Sequence, residues 1–142
     1  MKSKQQLTGR RVALDVGGRR VGIAVSDELG LVASPVRAVD LKREGMAGLV
    51  TVINSYEPAE VVIGLPTGMS GGEGPQAREV REFAARLVEH VTVPVTFWDE
   101  RLTTFAADQA LIESGYRTRQ RKARVDAVAA SLILQSYLDA HR

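Results

Sequence analysis

Arg11-Val12-Ala13-Leu14-Asp15-Val16 and Val21-Gly22-Ile23-Ala24-Val25, joined by Gly17-Gly18-Arg19-Arg20, decide how the rest of the chain is read. Two β-branched runs of strand length on either side of a Gly-Gly turn predict an antiparallel hairpin. Asp15 is the odd residue in it. It interrupts an apolar run in what should be a central strand, where a charge costs several kcal/mol unless it is paired or coordinates a cation. The alternative is that Asp15 begins the turn, where an Asp side chain satisfies local amides.

Working outward, a third strand is expected around Leu31 to Val39; Ser34-Pro35 interrupts it, which suits an edge. Met46, Leu49, Val50 and Ile53 fall at helical spacing, and Glu60 to Leu65 is a short apolar run suited to a buried parallel strand. Pro75 opens the next helix, with Val80, Phe83, Ala84, Leu87 and Val88 as its inward stripe. Val93 to Trp98 reads as a further strand ending in Asp99-Glu100, and helices follow at about Thr103 to Glu113 and Gln120 to Asp139. The order β-β-β-α-β-α-β-α-α describes an α/β protein: a mixed five-stranded sheet with an N-terminal antiparallel hairpin and helices on both faces. That is the order of the RNase H-like fold. With 142 residues, no internal repeat and no linker, one domain spanning 1–142 is expected.

Composition narrows the chemistry. An apolar share of 44% and a charged share of 25% are ordinary for a folded soluble protein. No window approaches the ~18 consecutive apolar residues of a spanning helix, and the basic stretch before Val12 lacks a signal-peptide core, so a cytoplasmic protein without membrane contact is expected. The absence of cysteine removes disulfides, thiol catalysis and cysteine-ligated zinc. A net charge of +2 is modest, but Arg117, Arg119, Arg121, Lys122 and Arg124 form an acid-free run, read as a loop able to neutralise phosphates or as a merely solvated one.

Two further acids stand where acids need a reason. Glu100 lies just past a strand, and in open α/β sheets sites form beyond the carboxyl ends of strands. Asp99 or Glu100 could equally cap the helix beginning near Thr103. Asp126 shares a helix face with Ala129, Ala130, Ile133 and Tyr137, which is largely apolar; Lys122, one turn earlier, could simply pair with it. Together these acids offer two or three carboxylates that this topology would bring to one end of the sheet, an oxygen-rich setting of the kind Mg²⁺ or Mn²⁺ requires.

The same residues resemble the YqgF/RuvX family of Holliday-junction resolvases and nucleases maturing small-subunit ribosomal RNA precursors. The likeness runs from about Arg11 to Tyr137. It is carried by Leu14-Asp15-Val16-Gly17, Val21-Gly22-Ile23-Ala24-Val25, Val62-Ile63-Gly64-Leu65-Pro66, Glu73-Gly74-Pro75-Gln76-Ala77, Asp99-Glu100-Arg101-Leu102-Thr103-Thr104 and Val125-Asp126-Ala127. It implies an RNase H-like nuclease in which Asp15, Glu100 and Asp126 are catalytic and hold the metal, a pair of Mg²⁺ or Mn²⁺ ions. Gly17, Asp99, Thr103 and Thr104 would support the site. The substrate would be nucleic acid, precursor rRNA or branched DNA; the charge distribution, not the resemblance, makes Arg19, Arg20, Arg117, Arg119, Arg121, Lys122 and Arg124 the expected nucleic-acid contacts, and a monomer or homodimer is expected. Gly18, where members often have Thr, and Ala127 to Ala130, where several have Ser, depart from the pattern.

Three other readings compete. Asp15-Val16-Gly17-Gly18 also resembles the first phosphate loop of actin-like ATPases and sugar kinases, but those close two domains on a nucleotide and this chain has room for one. Gly72-Glu73-Gly74-Pro75-Gln76-Ala77 matches a dinucleotide-binding fingerprint in letters, yet it stands too far beyond the strand ending at Leu65 to form the required tight turn. A non-catalytic domain binding structured RNA would be expected to lack at least one of the three acids. His90 is expected at a helix end and His141 in a frayed tail.

Overall fold

A computed structural model describes residues 8–67, 73–102 and 118–142. Strand β1 (Arg11–Val16) pairs antiparallel with β2 (Arg20–Ser26), Val16 opposite Val21 and Asp15 opposite Gly22. β3 (Ala33–Asp40) extends the sheet beyond β2. β4 (Glu60–Leu65) and β5 (Val95–Asp99) continue on the other side, β4 parallel to β1 and β5 parallel to β4. The order is β3-β2-β1-β4-β5, a mixed five-stranded sheet with β1 at its centre. Asp15 therefore stands in the innermost strand. β3 is an edge, as its proline demanded, and the register slips where Ile23 faces Arg37 but Ala24 faces Pro35, leaving Val36 as the extra residue.

Period-two alternation divides the sheet into unlike faces. Val12, Leu14, Val21, Ile23, Val61 and Ile63 turn toward helices α1 (Leu41–Ser55) and α2 (Pro75–Leu87), packing with Leu49, Ile53, Val80, Phe83 and Leu87. The other face offers Ala13, Ala24 and Val62 to Ala130, Ile133, Leu134 and Leu138 of α3 (Thr118–Ala140). Large residues hold two helices at ordinary distance on one side. Small ones let a single helix lie close on the other.

Several boundaries differ from those the sequence suggested, each for a local reason. α1 begins at Leu41 because the Asp40 carboxylate accepts from the backbone N–H groups of Lys42 and Arg43. Removing that cap by Asp40→Ala should lower the melting temperature by a few degrees, measurable in a thermal scan at fixed pH. α2 stops at Leu87, so Val88 is 49% exposed and does not complete the inward stripe. β5 starts after Pro94, whose ring removes a donor from the ladder while its carbonyl still accepts from Val61. The basic run is no loop from Thr118 onward: it forms the first turns of α3, in keeping with the helix propensity of Arg, Gln, Lys and Ala. The helix expected near Thr103 to Glu113 lies outside the described residues.

His141 is not in a frayed tail. Its ring stacks on Tyr137 at 4.2 Å and approaches Trp98 at 5.7 Å, and its Nδ1 lies 2.6 Å from the Tyr137 carbonyl. Beneath it the Tyr137 hydroxyl donates to Glu60, which also pairs with Arg11 at 3.1 Å and accepts from Thr96. This polar knot joins the C-terminal end of α3 to the entry edge of the sheet, the pole opposite Asp15.

Candidate active site

At the exit edge of β1 the register places two glycines beside Asp15. Gly22 is its partner on β2. On β4, Ile63 pairs with Leu14, and the next residue along is Gly64. A methyl group on Gly22 would come within 1.9 Å of the Asp126 carbonyl oxygen and 2.3 Å of its carbonyl carbon. Real Cβ atoms do not approach backbone so closely, so the bare glycine is what lets α3 touch the sheet at Asp126. A methyl on Gly64 would meet Glu100 at Oε2 (2.9 Å) and Cγ (3.0 Å), and Ile133 Cδ1 at 2.5 Å. Each glycine thus makes room on the α3 face for one of the other acids.

Glu100 opens a short 3₁₀ turn (Glu100–Leu102) directly after β5. Asp99 is held aside from the acids: it accepts from Thr67 Oγ1 at 2.9 Å, from the backbone N–H of Arg101 at 2.9 Å, and from the Arg101 guanidinium at 2.7 and 2.9 Å. These donors, Arg101 foremost, hold its carboxyl down at about 2. Asp99 is thus taken up by the turn, while the Glu100 side chain lies against Gly64 on the α3 face.

Asp15 and Glu100 stand close enough to interact directly, and two carboxylates so placed favour holding a proton between them. Burial first, then the negative charges of Glu100 and Asp126, push the Asp15 carboxyl up from 3.8 to about 7. Burial also raises Glu100, assisted by the charge of Asp99 and opposed by its bond to Asp15. Asp126 is close enough to act on Asp15 electrostatically, but its carboxylate is turned to Arg20, whose Nε donates to Oδ2 at 2.8 Å. Among the described residues no three acidic or imidazole side chains form a ready-made metal cage. Even so, the donor set suits a hard divalent cation: two half-buried carboxylates side by side, with a third acid adjoining.

Arg20 was read from sequence as a nucleic-acid contact; its bond to Asp126 was not legible there, because the partners lie on β2 and α3. Lys122, the local partner the helix spacing suggested, lies outside the described side chains, as do Arg119, Arg121 and Arg124. Arg117, Thr103, Thr104 and the Gly-rich stretch 68–72 lie outside the described residues altogether. Arg19 is engaged elsewhere, gripping both Asp40 oxygens at 3.0 and 3.1 Å. Gly17 closes the hairpin, its N–H donating to the Arg20 carbonyl at 2.9 Å. The two site glycines were quoted as motif letters; the signal that could have found their role is a glycine inside a strand, which marks close backbone approach. A cleft of about 320 Å³ lined by Val16, Gly17, Gln76, Val80, Phe83 and Arg86 opens on the α2 face, away from the acids.

Comparisons with known proteins agree with this geometry. Residues 9–140 match the family model described as RuvX: Holliday junction resolvase. A Roseiflexus protein carrying the name "Putative pre-16S rRNA nuclease" is 44% identical over 137 residues, covering 94% of this chain and 96% of its own. A Myxococcus xanthus protein of the same name is 46% identical over 136 residues, covering 94% and 89%. Among solved structures, RuvC of T. thermophilus in complex with a Holliday junction aligns with a TM-score of 0.58 at 17% identity, covering 92% of this chain and 95% of that one. The fowlpox virus Holliday junction resolvase aligns at 0.55 with 14% identity, covering 92% and 99%. Sheet order, helix placement and these likenesses define a nuclease of the RNase H-like class. Within that class, the chain belongs to the RuvX family. Among the described residues no helix is long and apolar enough to cross a membrane.

Proposed function

We propose that the chain is a divalent-metal-dependent phosphodiesterase whose metal ligands are Asp15, Glu100 and Asp126. The observation that carries this reading is the convergence of three carboxylates on one face of the sheet: Asp15 lies opposite Gly22, which seats Asp126, and Gly64 makes room for Glu100 on the neighbouring strand. An adjacent acid pair such as Asp15 and Glu100 is unfavourable for folding at neutral pH and becomes favourable when a cation replaces the proton. Bound there, two Mg²⁺ or Mn²⁺ ions would activate a water and stabilise the charge on the departing phosphodiester oxygen. The protein's part is to hold three oxygens at fixed places: Asp15 from the central strand, Glu100 from the turn that Asp99 braces, Asp126 from the helix that Gly22 seats. Asp99, Gly17, Thr103 and Thr104 support that arrangement.

The substrate we infer is precursor 16S ribosomal RNA, in line with the names of the relatives, and the fold neighbours make a four-way DNA junction the alternative to test. Arg117, Arg119, Arg121, Lys122 and Arg124, leading into Asp126, supply positive charge along the path of the strand to be cut. A cytoplasmic location follows from that substrate. The actin-like and non-catalytic readings gain no support from an acid pair of this kind.

The direct test is metal binding without turnover. Saturating Mn²⁺ or Mg²⁺ should raise the melting temperature of the wild type by roughly 5–10 °C through mass action and leave Asp15→Asn nearly unmoved. Equal shifts in both would remove Asp15 from the ligand set. A panel of labelled precursor RNA, single-stranded DNA, duplex and four-way junction then identifies the substrate.

A further inference from the structure

We infer that Arg20 is an internal stand-in for the cation at Asp126, and that its guanidinium passes from Asp126 to a substrate phosphate when a divalent ion is bound. This rests on the metal-binding reading of the three acids. The bond is a single one, Nε to Oδ2 at 2.8 Å, between side chains that are 37% and 25% exposed. Ion pairs with that much solvent access are weak, and a divalent ion is the stronger partner for a carboxylate. Arg20 can therefore be displaced without disturbing the fold.

The surroundings make the exchange directional. Asp126 cannot follow Arg20 away from the site, because its main chain is seated against Gly22. Only its side chain has to turn from Arg20 toward Asp15 and Glu100. Arg20 begins β2, the strand paired with the one that carries Asp15, so its guanidinium stays at the rim of the same site after it lets go. Its neighbour Arg19 is committed to both oxygens of Asp40 and has no such choice. With the site empty of cation, Arg20 offsets the charge of Asp126. With cations present, the same guanidinium faces the polyanion. Metal loading and substrate binding thereby become coupled through one side chain, and coupling of this kind must act in both directions.

The experiment compares wild type, Arg20→Gln and Arg20→Lys by two readouts that need no turnover. Mn²⁺ affinity is measured calorimetrically. Binding of a labelled oligonucleotide is followed by anisotropy over a salt series, once in Ca²⁺ and once in EDTA. Arg20→Gln should bind Mn²⁺ up to about fivefold more tightly than wild type, because the competitor is gone. It should also lose about one unit of salt slope in Ca²⁺ and none in EDTA. Arg20→Lys, which keeps the charge, should recover the slope in Ca²⁺ and confirms that the variant site is folded. Equal or weaker Mn²⁺ affinity in Arg20→Gln, with wild type binding normally, would overturn the stand-in role and leave Arg20 as a plain brace for Asp126. A slope lowered equally in EDTA would overturn the exchange. Absence of Mn²⁺ binding in wild type itself would instead overturn the metal reading, and this inference with it.

Discussion

Asp15→Asn should reduce cleavage by at least about a hundredfold at saturating metal, the scale of losing a preorganised charge at a reacting centre, and should at the same time melt higher than wild type in EDTA. The two effects have one origin. Asn keeps the volume and can still hydrogen-bond Glu100, but it carries no charge into a buried place already occupied by two acids. The sign of the pH dependence follows from the raised carboxyl. Well below 3.8, at about pH 3 and under, Asp15 is protonated in folded and unfolded chains alike and contributes little difference. As pH climbs from there toward 7 the unfolded chain releases its proton while the folded one keeps it, so the wild type loses stability; above about 7 the full penalty stands. A shift from 3.8 to about 7 corresponds to a penalty of a few kcal/mol, shared with Glu100 through their common proton. Melting curves in EDTA should therefore nearly coincide at about pH 3 and separate by roughly 5–10 °C at pH 8, with the variant on top. Excess Mn²⁺ should reverse the order. Coincident curves at both pH values would mean that Asp15 is not strained by its surroundings.

Gly22→Ala is expected to be the most damaging single-methyl change in the sheet. The added carbon would fall 1.9 Å from a main-chain oxygen, and neither partner is a flexible side-chain tip that could swing aside. α3 must lift or β2 must bend. Overpacking costs 1–3 kcal/mol when side chains can adjust; with backbone on both sides we expect about 3 kcal/mol or more, or a fall in melting temperature of roughly 10 °C. Activity should fall further than stability accounts for, because the displaced residue is Asp126. The control is Ala13→Gly on the same face, which opens space under α3 and should destabilise without a comparable loss of cleavage per folded molecule. If Gly22→Ala folds normally and cuts normally, the close seat of α3 does not position the acid.

Much of this was legible in the residues, for physical reasons that also mark where legibility ends. The hairpin, the buried run Glu60 to Leu65 and the start of α2 at Pro75 announce themselves because turn chemistry and burial on both faces leave strong local patterns. Asp15 could be singled out because one charge in an apolar strand has few explanations. Asp40 as a helix cap went unnoticed, since it ends a strand and begins a helix at the same position. The partner of Asp126 could not be found by helical spacing at all: 106 residues separate it from Arg20, and only the folded chain brings them together. His141 was misread in part for a similar reason: Tyr137 lies one helical turn before it and was open to a spacing argument, but Trp98 is brought to it only by the fold.

The seat of α3 on Gly22 has a consequence for redesign. The gap between Asp126 and the strand bearing Asp15 is set where main chain meets main chain, so it behaves as a machined stop and not as a cushion of interchangeable side chains. Repacking Ile133, Leu134 or Ala130 with residues of other sizes tilts or loosens the helix around that stop but does not tune the gap in small steps. An engineer wishing to admit a larger cation would have to move the stop itself, by altering the pleat of β2 or the entry of α3, and would find that conventional core libraries sample only the open and the broken states.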